Sequence, residues 1–211
     1  MSIYNNLFVK PSEKINGSSD FTQIANDVTQ LYLEDSKFQD FSQDFLNEVV
    51  KEMCNLYNEE KLKGKYSRSI LYTIEQFLLK KKQNPDNIVK FCLNDKINPT
   101  VQIILASCFY YGKWVEKNEY KAFVCYQKSA EMGDDRGTYN VGHCYRYGIG
   151  VERDEHKAFI YYHKSAEMGY TGGTYMVGYC YLNGMGVEKD EYKSFIYYRK
   201  SAEIELNKDL Q

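Results

Sequence analysis

Apolar positions in this chain recur at spacings of three and four along most of its length, the period of helices that bury one face. The clearest early stripe is Phe38, Phe41, Phe45, Leu46, Val49, Val50, Met53 and Tyr57, closed by the charged segment 58–65 with its Gly64. Ahead of it, residues 1–20 are polar and read as a flexible N-terminus. Ser18, Ser19 or Asp20 is placed to cap a helix starting near Phe21. Ile70, Leu71, Ile74, Phe77 and Leu78 mark the next helix, and the basic run 80–82 suits its negative end. Asn84-Pro85 and Asn98-Pro99 then each read as an N-cap followed by proline at the first helical position, where a missing N–H costs nothing. They predict helices over Pro85–Leu93 and Pro99–Tyr111.

From Pro99 onward the pattern repeats every 36 residues. Gly112, Gly148 and Gly184 keep that spacing, as do Val115, Val151 and Val187, and Lys128, Lys164 and Lys200. Laying Gly137–Met168 over Gly173–Ile204 gives 22 identities in 32 positions without a gap. A fixed period of this size marks a repeat architecture, in which each unit buries its apolar face on its neighbours. Each unit reads as two antiparallel helices. In the middle copy helix A covers Gly137–Tyr147 and stops at Gly148. Asp154 caps helix B, as Asn118 and Asp190 do in the other copies, and helix B runs to Met168 before Gly169. Small residues at Ala106, Gly142 and Gly178, and at Ala130, Ala166 and Ala202, let helices approach closely. The fold class is therefore all-α, an α-α superhelix, or solenoid, of antiparallel helix pairs with an irregular N-terminal helical segment. Residues 1–20 form the flexible N-terminus. Residues 21–98 form an N-terminal helical region, with a degenerate pair at 66–82 and 85–93 and the Phe38–Tyr57 helix capping the array. Residues 99–211 hold three repeats.

Composition narrows the function classes. The chain is 43% hydrophobic and 27% charged with a net charge of −2, so no large basic footprint for nucleic acid or an anionic membrane is expected. No apolar run approaches the roughly 20 residues of a membrane span, and MSIYNNLFVKPSEK lacks a basic start followed by an apolar stretch. A soluble cytoplasmic protein follows as the expectation. Of six cysteines, Cys108, Cys144 and Cys180 share one repeat position and read as small buried residues at a helix contact. Metal sites need clustered ligands at short spacings. His143, His156 and His163 do not cluster, so neither metal nor cofactor is expected.

The repeat residues resemble the Sel-1-like repeat, a relative of the tetratricopeptide repeat. The middle copy shows Val141-Gly142 with Tyr145, Gly148-Ile149-Gly150-Val151, Asp154, Lys157-Ala158, Tyr161-Tyr162, Lys164-Ser165-Ala166 and Gly169. The third copy matches as well. The first departs from the pattern, with Trp114 in place of the second loop glycine and Asn118 in place of the aspartate. The resemblance implies a right-handed superhelix that serves as a non-enzymatic scaffold or adaptor, in complex assembly or signalling.

Comparing the two near-identical copies separates stacking positions from a candidate binding face. Helix A differs at Asn140/Met176, His143/Tyr179, Arg146/Leu182 and Tyr147/Asn183, and residues 140, 143 and 147 share one helical face. In the tetratricopeptide relatives the positions matching His143, Arg146 and Tyr147 line the inner groove. The expected protein-binding site on the concave face is therefore Tyr110, Tyr111, His143, Arg146, Tyr147, Tyr179 and Asn183, for a protein or peptide partner. The other reading of these differences is drift at solvated positions. Phe109, Tyr145 and Tyr181 share a repeat position and read as core. The tyrosine pairs Tyr161-Tyr162 and Tyr197-Tyr198 also read as structural, with hydroxyls reaching water. Two alternatives stand beside the scaffold. One is a Cys-dependent hydrolase of the kind associated with secreted repeat relatives. The other is a solenoid that self-associates through its C-terminal end, where 203–211 adds only one polar stretch.

Overall fold

The computed structural model describes residues 43–95 and 97–209. The polar stretch 1–20, the helix start near Phe21, and Phe38 and Phe41 of the first stripe lie outside these residues. The chain divides into two compact units, Met1–Asn47 and Glu48–Gln211. Of the first, residues 43–47 are described and are helical. The second unit holds the rest.

Helix α1 covers 43–62. It is followed by α2 (Ser67–Lys80), α3 (Pro85–Cys92), α4 (Pro99–Tyr111), α5 (Glu119–Glu131), α6 (Asp135–Tyr147), α7 (Glu155–Glu167), α8 (Thr171–Asn183) and α9 (Glu191–Asp209). There is no strand among the described residues. The capping residues act as their chemistry dictates. Asn84 Oδ1 accepts the Asp86 N–H at 2.8 Å, and Asn98 Oδ1 accepts those of Thr100 and Val101 at 2.9 and 3.3 Å. Asn118, Asp154 and Asp190 each accept the N–H three residues on. Helix α6 begins two residues before Gly137, because Asp134 caps it by accepting the Gly137 N–H at 2.7 Å.

Consecutive helices pack on one another from α4 to α9, and α2 and α3 pack on α4. The core recurs with the repeat. Cys108, Cys144 and Cys180 are buried, with Leu105, Val141 and Val177 one turn earlier. Within each pair, a tyrosine of the second helix lies on a glycine of the first. A Cβ on Gly142 would come 2.9 Å from the Tyr162 ring, and one on Gly178 would come 3.0 Å from the Tyr198 ring. Tyr162 is fully buried and its hydroxyl lacks a hydrogen bond of good geometry, so it does not reach water as expected. Tyr145 and Tyr181 are half-buried rather than core. They stack on Tyr161 and Tyr197 at 5.6 and 5.8 Å, with Lys157 and Lys193 over their outer faces.

Trp114 keeps the backbone conformation of the glycine it replaces, with φ +60°. Its indole N–H donates to Glu75 Oε1 at 3.2 Å, beside Lys113 Nζ on Glu75 Oε2 at 2.7 Å. The first repeat thus ties its irregular loop to α2.

Candidate functional site

Tyr110 and Tyr111 end α4, while His143, Arg146 and Tyr147 occupy the last turns of α6, and Tyr179 and Asn183 those of α8. Five of the seven form one patch. The His143 ring lies 4.6 Å from Tyr147. The Arg146 guanidinium sits 4.9 Å over the Tyr147 ring and 4.4 Å over that of Tyr179, bridging α6 to α8. Asn183 Nδ2 donates to the Tyr179 carbonyl at 2.9 Å, which holds the end of α8. Around Arg146, Tyr147, Tyr179 and Asn183 an open cleft of about 370 Å³ extends to Arg153, Glu155 and Met185.

The other two predicted residues lie in a separate, smaller cleft. Tyr110, Tyr111 and His143 line about 160 Å³ together with Tyr139, Asn140 and, from the end of α1 and the start of α2, Lys61, Tyr66 and Ser67. The chain's own N-terminal part therefore borders this end of the expected groove. Helix α1 also reaches α6. Its Asn58 Oδ1 accepts from Arg136 Nη1 at 2.7 Å, on α6. Its last residues border the starts of α6 and α8 around a further cleft of about 390 Å³, lined by Lys61, Leu62, Arg136 and Tyr170. The buried side of α1 consists of Val49, Val50, Met53, Cys54, Tyr57 and Glu60, the last bonded to Lys63 and Lys65. That stripe was visible in the sequence. Its destination was not, because periodicity shows which face is buried and not what it meets.

Comparing copies also missed Tyr139. It packs against His143, Tyr162 and Tyr170 at ring distances of 6.4, 5.5 and 5.3 Å. It is a tyrosine in both copies, so a search for differences passes over it.

Electrostatics distinguish the groups in this region. No carboxylate among the described residues pairs with Arg146, whose neighbours are Met176 Sδ at 3.7 Å, the two tyrosine rings and the buried Tyr162 hydroxyl. Burial, reinforced by Arg146, pushes His143 down from 6.5 to about 4. The unfolded chain therefore binds a proton that the folded one refuses between those values. Stability is expected to fall as pH drops from 6.5 to about 4. His143→Tyr, which installs the third repeat's residue Tyr179, should flatten that part of a urea-midpoint profile against pH.

All six cysteines are buried and unpaired. Burial pushes the Cys144 and Cys180 thiols up to about 12, and Cys108 further still. A nucleophilic cysteine needs thiolate character and access, and these thiols have neither. The other two histidines make contacts between repeats: His156 Nδ1 lies 2.9 Å from the Gly186 carbonyl, and His163 Nε2 lies 3.3 Å from the Tyr197 hydroxyl. Among the described residues no three His, Cys, Asp or Glu gather in a way that could hold a metal ion.

Comparison with known proteins settles the family. The family described as "Sel1 repeat" matches residues 99–134, 136–170 and 173–204. The chain belongs to the Sel1 repeat family. Sel1 repeats generally act as protein-interaction scaffolds. No curated protein matches the chain. Among solved structures, a Sel1 repeat protein from Oxalobacter formigenes is 20% identical with a TM-score of 0.55, over 58% of this chain and 36% of that one. A second is c5321, a protective antigen of uropathogenic Escherichia coli strains displaying this fold. It is 24% identical with a TM-score of 0.55, over 70% of this chain and 32% of that one. The chain spans about a third of the length of both, and the likeness is one of fold. No helix among the described residues is long and apolar enough to cross a membrane.

Proposed function

We propose that this Sel1 repeat protein is a scaffold or adaptor in complex assembly or signalling. It takes an acidic segment of a protein partner into the cleft between α6 and α8, on the concave face of the array. The observation that carries this reading is Arg146. Its guanidinium is held between two tyrosine rings at the wall of an open cleft, and no carboxylate among the described residues pairs with it. Charge-assisted bonds to a carboxylate are strong and directional, and arginine and tyrosine are the side chains that most often anchor an interface. The fold does not call for arginine here, since the equivalent residues are Tyr110 and Leu182. Buried unpaired cysteines support a cytoplasmic setting, where thiols stay reduced.

Arg146→Leu tests the reading, because leucine already fills this position in the third repeat. On a peptide array graded in Asp and Glu content, the wild type should favour acidic peptides. The variant should keep its helix content and lose at least about tenfold in affinity for them. Binding that is indifferent to acidity, or unchanged in the variant, would sink the assignment.

A further inference from the structure

The repeats cover one another in a fixed way. Phe123 of α5 packs edge-on to Tyr145 of the next repeat at 5.6 Å, and Phe159 of α7 packs on Tyr181 in the same manner at 5.5 Å. Phe123 is 6% exposed as a result. Phe195 holds this position on α9 and is 61% exposed. Helix α9 also differs in length. Helices α5 and α7 end just before Gly133 and Gly169, whereas α9 carries Glu205 at that position and runs on to Asp209. The extension prolongs one stripe, Phe195, Tyr198, Ala202 and Leu206, with Leu206 63% exposed.

The first helix of another repeat would fit this face, but a second copy does not offer one. Helix α4 is buried from Thr100 to Phe109, with α2 and α3 packed on it, so a head-to-tail stack would have to uncover it. Helix α9 is instead complementary to itself. Arg199 and Glu203 flank the stripe on one side, 3.4 Å apart within the helix. Two α9 helices packed antiparallel about a two-fold axis near residues 200–201 set Phe195 against Leu206 and Tyr198 against Ala202. The same axis brings Arg199 of each copy beside Glu203 of the other.

We propose that the protein forms a two-fold dimer through antiparallel pairing of α9. This surface is separate from the cleft around Arg146, so either assignment can fail without the other. Sedimentation of the full chain over a concentration range should show a monomer–dimer equilibrium. Phe195→Asp and Leu206→Asp should each give a monomer with unchanged helix content, since both side chains are exposed. Arg199→Glu should weaken the dimer about tenfold, and the swap Arg199→Glu with Glu203→Arg should restore it. A wild type that stays monomeric to about 100 µM leaves this face to another protein or to solvent and overturns the proposal. A dimer that survives Phe195→Asp, or a swap that fails to restore, overturns it too.

Discussion

Gly150→Ala is expected to destabilise the repeat array by about 2–5 kcal/mol, and Gly186→Ala by a similar amount, since a non-glycine residue at positive φ and an overpacked contact each cost about 1–3 kcal/mol. Both glycines adopt positive φ, +67° and +68°. A Cβ on Gly150 would overlap the carbonyl oxygen of Glu119, and one on Gly186 that of Glu155. Each obstacle is backbone in the first turn of the preceding repeat's second helix, so it cannot rotate aside. Gly148→Ala separates the two causes. Its φ is +71°, but the nearest atom to an added Cβ is 3.6 Å away. That variant should show the conformational cost alone, about 1–2 kcal/mol. Urea midpoints of the three variants check this, and equal losses at 148 and 150 would remove the close approach from the account. Trp114 shows what the backbone position tolerates elsewhere. It accepts φ +60° in the first repeat, where its indole gains the bond to Glu75.

The repeat and its caps were legible because each rests on local chemistry. Asn118, Asp154 and Asp190 cap the helices that their sequence positions announce. The shared cysteines are buried where a stacking contact requires a small apolar residue. Which of the candidate residues share a cleft was legible only in part. Differences between copies led to Arg146, Tyr147, Tyr179 and Asn183, which do share a cleft. They also led to Tyr110 and Tyr111, which line a different one together with Lys61, Tyr66 and Ser67. The comparison could not foresee this, because those three residues lie outside the matched repeats. It also passed over Tyr139, whose packing on Tyr162 and Tyr170 is a stacking role at a position where both copies carry tyrosine. Long-range placement of a non-repeating helix leaves no periodic trace. Only the burial of its stripe is encoded locally.

Tyr57→Ala should therefore have an effect that no repeat position predicts. Tyr57 is 1% exposed and among the largest fully buried side chains. It stands one residue before Asn58, which bonds Arg136 at the start of α6. Burial pushes its hydroxyl upward in pKa, against a hydrogen bond with Ser67 that lowers it. Removing the ring leaves a cavity at the buried face of α1. Truncations of this kind cost about 3–5 kcal/mol. Tyr57→Phe removes only the hydroxyl and its bond to Ser67, and should cost about 1 kcal/mol. If α1 is held chiefly by this residue, hydrogen exchange in Tyr57→Ala should accelerate over 48–62 before it does so in α6 to α8. Uniform acceleration across the chain would mean that α1 and the repeats unfold as one cooperative body. The first outcome makes α1 a separable element beside the Tyr110–Tyr111 cleft. Its loosening would then leave the Arg146 cleft intact.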